Sequence, residues 1–389
     1  MKDNKLFYFI FGLIFLFYFL KIILYNTLIF NFLQSFSILL LSAYCLRFLK
    51  FKINLPFLFI ILYFFFMIYR GILFDNYLLY FLSDTSKFST LALLLFFGSN
   101  VKLNNLKLEK IIKLICNYFY FALPVSIILT IILGLNLADS IDTRFNVSST
   151  YVQEKAPIML LYISIFISPF YKYLNKSHKT ITLLSLIFLM FLGIMTASRT
   201  ISILPLFSII LIFIKNFKHL FLKYFLGSLF IFFLLLSTNK LENINKSISV
   251  LHYRFFGLAD SSTGRDDEQS IYLKSITTDE LWFGKGIGGS NNTWIWQNTE
   301  NGMSMMHRGY MYHILKGGLI WCIIWYSMFV ISIFRLIRTK FEYKIPILIS
   351  ISLIIISEIS VTTWLNPTIF IFQILLISFS LKSKVLRRI

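Results

Sequence analysis

Acidic side chains are scarce in this sequence. Seventeen Asp and Glu stand against 37 Lys and Arg in 389 residues, and the four charged types together make up 14%. A water-soluble surface on a chain of this length needs far more charge, so a soluble globular protein is excluded. Disorder, collagen and coiled coil are excluded as well, since 58% of the residues are hydrophobic without a matching repeat. Cysteine is nearly absent. Cys45, Cys116 and Cys322 lie far apart, each inside an apolar stretch, so neither a disulfide framework nor a CxxC metal site is available. No His/Cys/Asp cluster has metal-ligand spacing, and there is no P-loop for ATP hydrolysis.

What is abundant is Phe (45), Tyr (21), and runs of Ile and Leu. A spanning helix needs roughly 20 mostly apolar residues. Cutting the chain at its polar breaks gives segments at 6–24, 27–46, 53–69, 80–99, 112–134, 156–172, 181–197, 199–215, 220–237, 309–334, 345–361 and 367–381. The expected fold is therefore an all-α integral membrane protein of about twelve transmembrane helices. The first segment lacks a small-residue cleavage site and reads as a retained anchor.

The net charge of +20 is a topology signal. Basic residues near span ends are held on the cytoplasmic side. With the N-terminus inside, the cytoplasmic segments hold 23 of the 37 bases and three of the 17 acids (Asp3, Glu109, Glu342), which accounts for the whole excess. Both termini are then cytoplasmic, and no nucleic-acid partner is needed to explain the charge. Residues 1–237 form nine spans with a smaller outer loop at 135–155. A large outer loop covers 238–308, and 309–389 hold three spans and a basic tail.

Ionisable groups at span edges mark candidate sites, because they are costly next to lipid. Arg199, in Ala197-Ser198-Arg199-Thr200, offers a fork of donors matched to phosphate oxygens, or else snorkels to headgroups. Arg265 precedes three acids and an amphipathic stretch ending at Trp282-Phe283-Gly284; phosphate binding and simple pairing with its neighbours both fit. His307 stands where the large loop re-enters the membrane, as a base, a donor or a structural interfacial residue. At helical spacing it shares a face with Tyr310, Ile314 and Gly317, with His313 and Lys316 on neighbouring positions. Glu358 reads as a catalytic carboxylate or a buried hydrogen-bond partner. Arg144 and Lys155 contact sugar hydroxyls or are solvated. Gly284-Lys285-Gly286-Ile287-Gly288-Gly289 fits GxGxxG, but without a βαβ unit it reads as a flexible turn and not as a dinucleotide site.

Three patches in this order resemble the O-antigen polymerase and ligase superfamily of bacterial surface-polysaccharide assembly. They are Ala197-Ser198-Arg199-Thr200, Gly264-Arg265 with Trp282 to Gly288, and His307 to Gly318. Members commonly carry Asn after the loop histidine, where this chain has Arg308. The resemblance implies a metal-independent, inverting glycosyltransferase without cofactor in the bacterial inner membrane, its active site facing the periplasm. A glycan would leave an undecaprenyl pyrophosphate carrier and join an acceptor hydroxyl. Arg199 and Arg265 would neutralise the departing pyrophosphate and His307 would serve the acceptor hydroxyl. Arg308, Tyr310, Arg144, Lys155 and Glu358 would contact substrate. The partners implied are lipid-linked donor and acceptor glycans, the bilayer and a chain-length regulator. The favoured activity is a polymerase of repeat units; a ligase delivering glycan to lipid A core is the alternative, and a flippase a more distant one.

Overall fold

A computed structural model describes residues 2–23, 28–47, 55–91, 108–132, 162–195, 203–212, 263–291, 306, 308–338, 343–360, 371 and 373–377. Among them the regular elements are helical and no strand occurs, so the protein is all-α over the described residues. The α-helices are α1 (Lys2–Ile23), α2 (Leu28–Arg47), α3 (Leu55–Leu73), α4 (Leu78–Ser89), α5 (Leu108–Ile132) and α6 (Lys176–Met195). They continue with α7 (Ile203–Ile212), α8 (Thr263–Ser275), α9 (Thr278–Phe283), α10 (Gly309–Ile337) and α11 (Lys344–Ser360).

The helices outside the large loop are Leu/Ile/Phe-rich, and several hydroxyl residues within them donate back along their own helix. Ser37 bonds the Leu33 carbonyl, Ser42 that of Ile38, and Ser350 that of Pro346. This i−4 pattern lets a hydroxyl sit in an apolar helix without an orphaned donor. One described helix, α10, is long and apolar enough to cross a membrane. Its 29 residues would measure about 43 Å if straight, against a hydrocarbon core of about 30 Å. The apolar stretches Lys5–Phe17, Phe32–Tyr44, Leu58–Leu73, Ile203–Ile212 and Lys344–Ile356 are shorter.

The chain forms two compact units. The first contains Met1–Tyr18, Asn26–Leu106 and Ser262–Ile389. Aromatic stacking knits its core: Phe7 stacks on Phe11, and Trp321 stacks on Trp325 and on Tyr63. Its surface is unusually apolar and its interior holds ionisable groups. Large apolar side chains face outward, with Phe32 68%, Ile323 64% and Phe334 57% exposed, while Asp84, His313, Lys316 and Glu358 are buried to 1% or less.

The second unit contains Phe19–Tyr25 and Lys107–Ser261. A continuous helix was expected over 156–172. The structure has instead a π-helical turn at Tyr162–Ile167 followed by a 3-10 turn at Ser168–Tyr173. Pro169 explains the change, because it carries no N–H for an i−4 bond and its ring crowds the preceding turn. Asn175 then caps α6, its Oδ1 accepting from the His178 N–H at 2.8 Å.

Candidate functional site

The head of α10 gathers polar groups from three elements. Arg308 is its N-cap residue and lies half-buried before Gly309. Gln269 of α8 accepts from both Arg308 Nη1 and the Tyr310 hydroxyl, the latter at 2.7 Å, and Arg308 also donates to Tyr310 at 2.8 Å. The trio therefore ties α8 of the large loop to the first turn of α10. Arg265 lies on the first turn of α8, one helical turn before Gln269.

Glu358 of α11 packs against the same head. Gly309 is required there, since a Cβ at that position would lie 2.9 Å from Glu358 Cβ. Both Glu358 oxygens are engaged inside the protein: Tyr326 donates to Oε2 at 2.6 Å and Gln373 to Oε1 at 3.3 Å. One turn into α10, His313 Nε2 faces Glu358 Oε2 at 3.8 Å. The Trp321 indole N–H donates to His313 Nδ1 at 3.2 Å, so in the neutral ring the proton sits on Nε2, toward the carboxylate.

Deeper in the first unit lies a buried ion pair that the sequence reading passed over. Lys316 of α10 donates to Asp84 Oδ2 of α4 at 2.6 Å, with both side chains at 1% exposure or less. Tyr312 donates to Oδ1 at 2.9 Å, Lys87 lies 3.3 Å from it, and the Gly288 N–H reaches Oδ2 at 3.1 Å. Lys316 also donates to the Gly289 carbonyl at 2.6 Å.

The glycine run 284–289 lies between these groups, and it is held fast where a flexible turn was expected. Helix α10 breaks at Gly318, whose φ is 68°. The last three carbonyls before the break, which a straight helix would use four residues on, go elsewhere. Lys285 N–H donates to Leu315 O at 2.8 Å, Gly286 N–H to Lys316 O at 3.0 Å, and Tyr63 hydroxyl to Gly317 O. The Ile287 N–H binds Met67 O of α3, and Asn76 donates to the carbonyls of Lys285 and Ile287. Gly286 sits at φ 83°, and a side chain on it would run into the Arg70–Gly71 backbone. All six N–H groups from Gly284 to Gly289 bond within the protein, so none is left to cradle a phosphate.

Arg70 completes the anchor. Its guanidinium binds Gly284 O at 2.8 Å and Asp279 at 2.7 Å and lies over the Phe74 ring. Capping-box bonds between Thr277 and Glu280 start α9, and Gly284 at φ 72° ends it. Tyr272 on α8 is buried, and burial with Glu280 nearby pushes its phenol up from the ordinary value.

Three of the eight predicted site residues, Arg308, Tyr310 and Glu358, thus come together around Gly309. Arg265 is placed by its backbone on α8. Arg144, Lys155, Arg199 and His307 lie outside the described residues. Among the described residues no group of three or more His, Cys, Asp or Glu side chains is arranged to hold a metal ion. Sequence reasoning missed Asp84, Arg70 and Gln269. The first two carried a signal, an ionisable residue in or beside an apolar run; Gln269 carried none, being one polar residue in a polar loop. No family model, curated protein or solved structure matches this chain.

Proposed function

We propose that this chain is a multi-pass inner-membrane glycosyltransferase of about twelve spans, a polymerase that joins undecaprenyl-pyrophosphate-linked repeat units at the periplasmic face. Membrane residence is supported by the large apolar side chains exposed on the first unit and by the burial of Asp84, His313, Lys316 and Glu358 within it. The charge-derived topology puts the α3–α4 turn, the large loop and the head of α10 on one side of the bilayer. The hydrogen bonds from residues 284–288 to Met67, Asp84, Leu315 and Lys316 join those same segments.

The observation that carries the reading is the Gln269 bridge. It brings the α8 patch bearing Arg265 onto the α10 patch that opens with His307 and Arg308, which are separate motifs in the sequence. In the reaction, an acceptor hydroxyl attacks the anomeric carbon while the carbon–oxygen bond to the lipid pyrophosphate breaks, inverting the centre. The hydroxyl proton passes to His307, and Arg265, Arg199 and Arg308 neutralise the charge gathering on the leaving pyrophosphate. Tyr310 and Gln269 offer the mixed donors and acceptors that sugar hydroxyls require. A ligase would use the same donor chemistry with a different acceptor. A transporter places its substrate at the freed backbone of a broken helix; here the carbonyls freed by the break at Gly318 are taken by the protein itself.

A gel of surface polysaccharide from a deletion strain, beside its parent and a complemented strain, tests this. A polymerase predicts loss of the ladder with survival of a core-plus-one-repeat band. Loss of every glycan-bearing band, with long lipid-linked polymer accumulating, would assign the ligase instead, and an unchanged ladder would refute both.

A further inference from the structure

We infer that the Asp84–Lys316 pair is a positioning clamp. It locks the glycine run 284–289 into the break of α10 and so fixes where α8, the helix that carries Arg265, holds Gln269 against the head of α10. Three observations converge on it. The pair joins α4 to α10 directly at 2.6 Å, with both groups buried. It also grips the loop from both sides, since Asp84 accepts the Gly288 N–H while Lys316 donates to the Gly289 carbonyl. Finally, the loop it grips continues from α9 and α8, whose Gln269 holds Arg308 and Tyr310.

A buried ion pair is poor as a bare stabiliser, because desolvation offsets most of the attraction. It is well suited to specifying one arrangement, since any slip of the loop takes the Gly288 N–H from Asp84 and the Gly289 carbonyl from Lys316 and leaves both backbone groups unmatched. Lys87, Tyr312 and Lys316 hold Asp84 in place from α4 and α10, so its carboxylate meets the loop in one position. Asp84 and Lys316 are therefore positioning residues and not catalytic ones. Only the consequence for activity rests on the proposed function; the geometry does not.

The test is a pair of spin-label distance measurements on the full chain in lipid nanodiscs, in a background with the native cysteines replaced. Labels at Leu273 of α8 and Ile323 of α10, both exposed, report the position of the loop helix. Labels at Phe65 of α3 and Ile323 report the helix bundle without crossing the loop. The clamp predicts that Asp84→Ala and Lys316→Ala lose the narrow α8–α10 distance peak while the α3–α10 peak stays narrow. Asp84→Asn, which keeps an acceptor for Gly288, should retain most of the narrow population.

If the single variants do not accumulate, Asp84→Ala/Lys316→Met leaves no buried charge and should release α8 in the same way. An unchanged α8–α10 peak would overturn the inference, and so would both peaks broadening together, which would make the pair a general stabiliser. A polysaccharide ladder that survives a broadened α8–α10 distance would count against the role given to α8 in the proposed function, while leaving the clamp standing.

Discussion

Removing one partner from a buried ion pair leaves the other charge uncompensated, which costs about 3–5 kcal/mol in a protein interior. Lys316→Met should fall toward the lower end of that range, because Lys87 lies 3.3 Å from Asp84 and partly compensates it. Thermal unfolding in detergent should show Asp84→Ala/Lys316→Met closer to the parent than Lys316→Met is; the reverse order would contradict the pairing. His178 gives a pH-dependent case in the second unit. Its Nε2 faces Asn117 Oδ1 at 3.1 Å, and burial, with Lys113 adding, lowers its pKa below the ordinary 6.5. A histidine that resists protonation in the fold contributes stability that is full above its unfolded pKa and is lost as pH falls below it. Lowering the pH from about 7 to about 5 should therefore destabilise the parent more than His178→Gln, a window set by the ordinary histidine value. Equal slopes for the two proteins would remove His178 from the account.

At the scale of elements, the break in α10 and the glycine run form one device. Gly318 stands at φ 68° and ψ −172°, a region nearly confined to glycine, where a side chain costs about 1–3 kcal/mol in backbone strain alone. A side chain there would also meet the Trp282–Phe283 backbone. Gly318→Ala is expected to lower the unfolding midpoint and to open 284–289 to limited proteolysis, and unchanged protection would contradict the docking described. This device was not legible in the sequence. The glycine spacing invited comparison with nucleotide loops, whereas its partners are carbonyls about thirty residues on and a helix end some two hundred residues back. Helix positions were legible, because a run of apolar residues long enough to span is a local property: α1, α2, α10 and α11 lie within a few residues of the segments expected at 6–24, 27–46, 309–334 and 345–361. The turn at Pro169 was not, since the apolar run continues across it while the backbone bonding cannot.

For the whole molecule, the proposed membrane residence assigns the exposed apolar side chains of the first unit to the surface that meets lipid. Ile323 lies on the exposed side of α10, inside its apolar stretch. Ile323→Arg should impair membrane insertion by about 2.5–3.5 kcal/mol on the insertion scale, read as loss of protein from the membrane fraction. Normal accumulation would contradict a lipid-facing position. The candidate site was partly legible for a related reason. Arg308, Tyr310 and Glu358 announce themselves as polar groups at the edges of apolar runs, whereas the bridge that joins α8 to them depends on the fold of the large loop. The activity proposed for this site is transfer of glycan from a lipid pyrophosphate to another glycan. The most direct measurement is to incubate the purified protein in nanodiscs with undecaprenyl-pyrophosphate-linked repeat units and a metal chelator, and to follow product length by gel and mass spectrometry. The account predicts lipid-linked products lengthened by whole repeat units, and their loss on Arg265→Ala. Unextended substrate with folded, membrane-embedded protein would contradict it.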